Sequence, residues 1–114
     1  MSILTIEKPS ISAQRVVISN DTISVDLLDG RTISAPLAWY PRLVYGKITE
    51  RNNWRWIGDR EGIHWPDLDE DISIEGLLLG KRSGESQRSF KKWLDKRIAR
   101  TPKRHDRRNH LHRR

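Results

Sequence analysis

Gly62-Ile63-His64-Trp65-Pro66-Asp67-Leu68-Asp69-Glu70-Asp71-Ile72-Ser73-Ile74-Glu75-Gly76-Leu77-Leu78 is the stretch on which the reading of the fold turns. Ile63 and Trp65 alternate with His64 as in a short strand, and Pro66 ends hydrogen-bond pairing. Asp67, Asp69, Glu70 and Asp71 then lead into an apolar run closed by Gly80. The reading is strand, acidic corner, capped helix. Asp71 is the expected N-cap of a helix over 72–79, because its carboxylate can accept backbone amides and complements the helix dipole. Ile74, Leu77 and Leu78 would form its buried stripe, and Gly80 the left-handed position that ends it.

Working outward toward the N-terminus, residues 1–12 show no sustained period and are expected to add at most an edge strand. Val16 and Ile18, then Ile23, Val25 and Leu27, then Ile33 and Ala35 alternate with polar residues, which predicts three antiparallel strands. Asn20-Asp21 supplies the first turn, and Asp29-Gly30 is expected to form a tight type I′ turn. The inward set is Ile23, Val25, Leu27, Ile33 and Ala35. Pro41 is tolerated only in the first turn of a helix, so a short helix is placed near Trp39 or Tyr40. Thr49 is the expected N-cap of a second. Polar Gly58–Gly62 separates Trp54, Trp56 and Ile57 from Ile63 and Trp65, which predicts a second hairpin. Trp39, Trp54, Trp56 and Trp65 are the candidate core anchors.

Composition sets bounds. The 114 residues suffice for one modest core. The chain lacks cysteine, which excludes disulfides, thiolate nucleophiles and cysteine-based metal sites. There is no apolar run of membrane-spanning length and no secretory-type leader, so a cytoplasmic protein is expected. The net charge of +7 conceals a division. Residues 1–80 hold eight Lys/Arg against twelve Asp/Glu (−4), whereas residues 81–114 hold fourteen against three (+11). The expected organisation is an α+β body over 1–80, with a small antiparallel meander sheet and two or three short helices. A basic extension over 81–114 follows: a linker from Lys81, an amphipathic helix over about 85–100 stopped at Thr101-Pro102, and a disordered tail.

The candidate chemistry is sparse. Asp67, Asp69 and Asp71 copy the start of a calcium loop, but Ile72 and Leu78 stand where Gly and Glu are needed. A solvated corner with a capping Asp is preferred by roughly ten to one. His64 beside Asp67 and Asp69 resembles a base with its orienting carboxylate, yet no nucleophile motif accompanies it, and a structural histidine is preferred. His105, His110 and His112 lie in a polar tail with no frame to fix metal geometry. Without Gly-x-Gly-x-x-Gly or Gly-Lys-Ser/Thr, no cofactor, metal or catalytic residue is assigned.

Two binding surfaces remain. Asp67, Asp69 and Glu70 in the corner, with Phe90, Trp93, Leu94 and Ile98 on one helix stripe, are the candidate partner-binding residues. Docking of that stripe on its own domain is weighed equally with all external partners. Lys91, Lys92, Lys96, Arg97, Arg100, Lys103, Arg104, Arg107 and Arg108 are the candidate polyanion-binding residues, able to hold nucleic acid nonspecifically through phosphate.

Asp29-Gly30-Arg31-Thr32-Ile33-Ser34, Pro36-Leu37-Ala38-Trp39-Tyr40-Pro41-Arg42-Leu43, Asn53-Trp54-Arg55 and above all Gly62 to Ile72 resemble the bacterial family called domain of unknown function 2442, over roughly residues 13–82. The basic tail lies outside the shared region. The resemblance implies a small α+β fold, one also seen at the N-terminus of some helix-turn-helix proteins. It also implies neighbouring genes of another family, domain of unknown function 4160, in pairs that look like toxin-antitoxin modules; it carries no catalytic residue. The expected function is therefore a non-enzymatic, antitoxin-like module that binds a protein partner, plausibly a neighbouring gene product. The alternative is a nucleic-acid-associated protein using its basic arm. A small enzyme ranks third, and homo-oligomers are left open.

Overall fold

A computed structural model describes residues 11–100, without the Arg100 side chain. The expected N-terminal edge strand, the Thr101-Pro102 stop, the disordered tail, its histidines and Lys103, Arg104, Arg107 and Arg108 lie outside the described residues. Two units divide between Ser83 and Gly84.

Strands β1 (Ala13–Ile18), β2 (Thr22–Leu27) and β3 (Thr32–Pro36) form an antiparallel meander in the order β1-β2-β3. Ile23, Val25, Leu27 and Ala35 are buried and Ile33 is half-buried on the inner face. On the outer face the Ser24 and Ser34 hydroxyls meet at 2.7 Å, and Thr32 Oγ1 donates to Asp26 at 2.7 Å. The register slips between Ala13 and Arg15, so Gln14 is an extra residue that lets both Ala13 and Val16 face inward.

The β2–β3 connection is not the expected type I′ turn. Leu27 O accepts from Gly30 N at 3.0 Å, and Gly30, at φ +99°, is the loop's one positive-φ residue. A type I′ turn needs two. Asp29 instead accepts from Arg31 N and Nε, and that neighbour holds its carboxyl below the ordinary value.

After a 3-10 turn over Leu37–Trp39 come two short helices, α1 (Pro41–Val44), with Pro41 at its first position, and α2 (Ile48–Arg51). The N-cap of α2 is Lys47 rather than Thr49. Glu50 Oε1 accepts from Lys47 N at 2.8 Å, so the acid three residues on decides the start of the helix.

Strands β4 (Arg55–Ile57), β5 (Gly62–Trp65) and β6 (Glu70–Ser73) form a second antiparallel meander. The third strand is the main correction to the sequence reading. Asp71 does not cap a helix; it sits in β6, paired with His64, while Ile72 pairs with Ile63. Helix α3 is shorter, Ile74–Leu78, and its cap is Ser73, whose Oγ accepts from Gly76 N at 2.8 Å. The α3 exit follows the expected glycine. Gly80 N bonds Leu77 O, Lys81 N bonds Gly76 O, and Gly80 takes φ +77°.

The core combines Ala13, Ile23, Val25, Leu27 and Ala35 from the first sheet with Ile63, Trp65, Leu68, Ile72, Ile74 and Leu77 from the second half of the body. Leu37, Tyr40 and Leu43 complete it. Of the four candidate tryptophan anchors only Trp65 is fully buried; its indole N–H donates to Arg51 O at 2.9 Å. Trp39, Trp54 and Trp56 are half-buried. Trp54 and Trp56 pack edge to face, Arg60 lies over Trp56, and Arg82 lies over Trp39 at 4.7 Å. Rings at a rim can meet a partner group and water together, so large size alone does not place them inside.

The segment after Gly80, read as linker, is tied to the body as far as Ser83. Tyr40 Oη donates to Lys81 O at 2.9 Å and Ser83 N to Trp39 O at 3.0 Å. In the second unit, α4 (Gln87–Arg100) starts two residues later than Glu85, because Ser86 Oγ accepts from Ser89 N and acts as the cap.

Candidate functional site

The acidic corner is the hairpin turn between β5 and β6, and the chain before it builds its frame. Leu68 is fully buried, so the turn is plugged into the core between two exposed acids, Asp67 and Asp69. Asp69 takes φ +52°, a left-handed conformation that Asp tolerates better than most residues. Arg42 Nη1 donates to Leu68 O and to Asp69 O, both at 3.1 Å, and lies 3.8 Å from the Asp69 carboxylate. Asn53 Nδ2 donates to Asp67 Oδ2 at 2.9 Å. Gly46 packs so closely that a Cβ there would stand 2.8 Å from Leu68.

The result is a fixed turn that presents charge. The Arg42 side chain is 13% exposed whereas that of Asp69 is 89% exposed. The cation is spent on the turn's carbonyls, and the carboxylate remains in water. Glu70, expected beside these exposed acids, is the first residue of β6. It pairs with Trp65, is half-buried, and its charge adds to burial in raising the Tyr40 hydroxyl above its ordinary value.

His64 bonds Asp71 through Nδ1, across the strands, and not Asp67 or Asp69. The three acids of the calcium-like spacing thus point to three different partners, Asn53, Arg42 and His64. Among the described residues, no group of three or more His, Asp or Glu is arranged to hold a metal ion.

On α4 the Phe90 and Trp93 rings stack with centroids 5.7 Å apart, and Arg97 lies over Trp93 at 4.9 Å. Leu94 is half-buried and Ile98 is exposed on the same stripe. Lys91, Lys92 and Lys96 are exposed, Lys91 being 3.4 Å from Asp95. Arg97 is therefore an aromatic contact first and a phosphate candidate second. No described helix is long and apolar enough to cross a membrane.

With this geometry in view, the model of the family described as "Protein of unknown function (DUF2442)" matches residues 13–83. The chain belongs to this family. The DUF2442 match ends at Ser83, the residue whose amide closes on Trp39, so the family region and the hydrogen-bonded body share a boundary. No curated protein matches the chain. A crystal structure of a protein of unknown function from Rhodospirillum rubrum is similar in fold: 25% identity over 69% of this chain and 98% of that chain, with a TM-score of 0.58.

Sequence reasoning found the acids of this DUF2442 turn but missed what holds them. Arg42 lies 27 residues before Asp69 and Asn53 lies 14 before Asp67. No local pattern relates residues that far apart; Gly46, whose close approach to Leu68 demands a missing side chain, was the one usable signal.

Proposed function

We propose that this chain is a non-enzymatic, antitoxin-like bacterial module that works in the cytoplasm by binding a protein partner, and that the partner is basic where it meets the Asp67–Asp69 turn. The observation that supports the reading is the turn's preorganisation: Arg42 and Asn53 hold it and Leu68 anchors it, so its charge is displayed without ordering a loop on binding. An acid fixed in this way favours fast, oriented association with a cationic surface.

The test is co-purification of the full chain from its native lysate at moderate salt. A stoichiometric protein partner should be retained by wild type and lost when Asp67 and Asp69 are both changed to Asn. Asn keeps the left-handed residue and the Asn53 contact feasible, and Glu70 is spared because it is half-buried. Retention of the partner by the double variant overturns the proposal.

A second reading is favoured by the exposed Lys91, Lys92 and Lys96 on α4, which suit phosphate contacts. In that case nucleic acid affinity falls steeply with added salt and disappears on removal of residues 84–114. Salt-insensitive binding by the body alone would rule it out.

A further inference from the structure

The outer face of the second sheet carries a row of side chains that the acidic turn does not use. Register places Arg55 of β4, His64 of β5 and Asp71 of β6 directly opposite one another. Ile63, Trp65 and Ile72 alternate with them and are buried, so the row projects from the face away from the core. The His64 side chain is 23% exposed, and its Nδ1 is bonded to the Asp71 carboxylate. A carboxylate only accepts, so Nδ1 carries the proton and Nε2 of the neutral ring keeps its lone pair. Among the described residues Nε2 has no hydrogen-bond partner, and the exposed Arg55 side chain makes no hydrogen bond, ion pair or ring contact. On the same face, two residues before His64, Gly62 is covered by Ile57, whose atoms stand 3.3 and 3.4 Å from where a Cβ would lie.

We infer that His64 is a phosphoryl-acceptor site in which Nε2 is the nucleophile, Asp71 is its positioning residue and Arg55 holds the phosphoryl oxygens. A carboxylate on one ring nitrogen fixes the ring and raises the basicity of the other. The cation opposite selects the electrophile. Cβ atoms of directly opposed residues lie about 4.5–5.5 Å apart, within reach of a long side chain, and a guanidinium fork matches the oxygens of a phosphoryl group. A neutral acyl group would gain little from Arg55, and a metal cation would be repelled by it. The site is independent of the partner-binding reading above, because the acceptor acts in the isolated chain.

The probe is phosphoramidate, added to the full chain at neutral pH. The Nε2 lone pair forms the N–P bond as the P–N bond of the donor breaks, ammonia leaves with that electron pair, and the Nδ1 proton stays hydrogen-bonded to Asp71. His105, His110 and His112 of the same chain are the internal reference. Tandem mass spectrometry should find His64 labelled about tenfold or more faster than these three, and phosphorus NMR should place its phosphoryl group on Nε2. Asp71→Asn should bring His64 down to the reference rate and divide the remaining label between the two ring nitrogens, a change that a purely structural bond to Asp71 would not produce. Arg55→Gln should slow His64 about tenfold and leave the reference histidines unchanged.

Labelling of wild-type His64 at the reference rate, or on Nδ1, overturns the acceptor, and this readout needs no variant. If Asp71→Asn or Arg55→Gln labels like wild type, the row is overturned; both residues are exposed, so neither substitution removes a core contact, and circular dichroism checks the fold. Fast labelling of His64 alongside failed co-purification leaves the acceptor standing and removes only the acidic-turn reading.

Discussion

Trp65 and Tyr40 carry different kinds of burden at the level of single side chains. Trp65 fills the core and also satisfies Arg51 O, so Trp65→Ala leaves both a void and a carbonyl without its donor. The expected loss is about 3–5 kcal/mol, much of the stability of a small domain, read as a fall in the urea midpoint. Trp54→Ala, at the rim, should shift it far less. Tyr40 donates to Lys81 O from a buried ring, and burial first, then the charge of Glu70, raises its hydroxyl above 10.0. The unfolded chain then loses that proton before the folded one does. Stability is thus intact below about pH 10 and falls as pH rises above it toward the raised folded value. Thermal midpoints measured across this range should show the decline in wild type and a shallower one in Tyr40→Phe, which loses about 0.5–1.5 kcal/mol at neutral pH with the hydrogen bond.

Secondary-structure elements show where local patterns suffice. The first meander was legible because Ile23 and Val25 face Ala35 and Ile33 in a strict alternation that Leu27 continues, and polar turn residues mark both ends. The β5–α3 region was not, because Asp71, Ile72, Ser73, Ile74 satisfies both an alternating strand and the entry to a helix. Two acceptor side chains, Asp71 and Ser73, each precede an apolar residue. Pairing of Ile72 with Ile63 and Asp71 with His64 makes residues 70–73 a strand and moves the cap two positions on, to Ser73. Chemical denaturation separates the two positions. Ser73→Ala should cost about 1 kcal/mol as a lost N-cap, and Asp71→Ala about 0.2–1 kcal/mol as a lost surface pair with His64. The reverse ranking would mean that α3 begins at Ile72. The clamp on the acidic turn was illegible for another reason: its donors come from distant sequence, Arg42 on α1 and Asn53 just after α2, and only the packed body makes them neighbours of the turn.

At the level of the whole chain, the hydrogen bonds to Lys81 and from Ser83 set how short the body can be made. A chain ending at Ser83 should unfold cooperatively with nearly the midpoint of the full protein. One ending at Gly80 loses the Tyr40 and Trp39 contacts and with them roughly 1–3 kcal/mol, measured by the same urea titration. The charge division adds a salt effect: ionic contacts made by exposed groups weaken beyond a Debye length of about 8 Å at physiological ionic strength, whereas the clamped turn keeps its geometry. The two meanders have one more consequence, for the order of assembly. Among the described residues every strand pairs with a neighbour in sequence, first within β1-β2-β3 and then within β4-β5-β6. The first sheet is thus complete in sequence before Trp65 has left the ribosome, and the bond from Ala13 N to Arg60 O is among those that must wait for the second. Closure of short loops precedes the search for distant contacts, so nascent-chain protection should begin in β1–β3, with the core sealed only after residues 62–77 emerge.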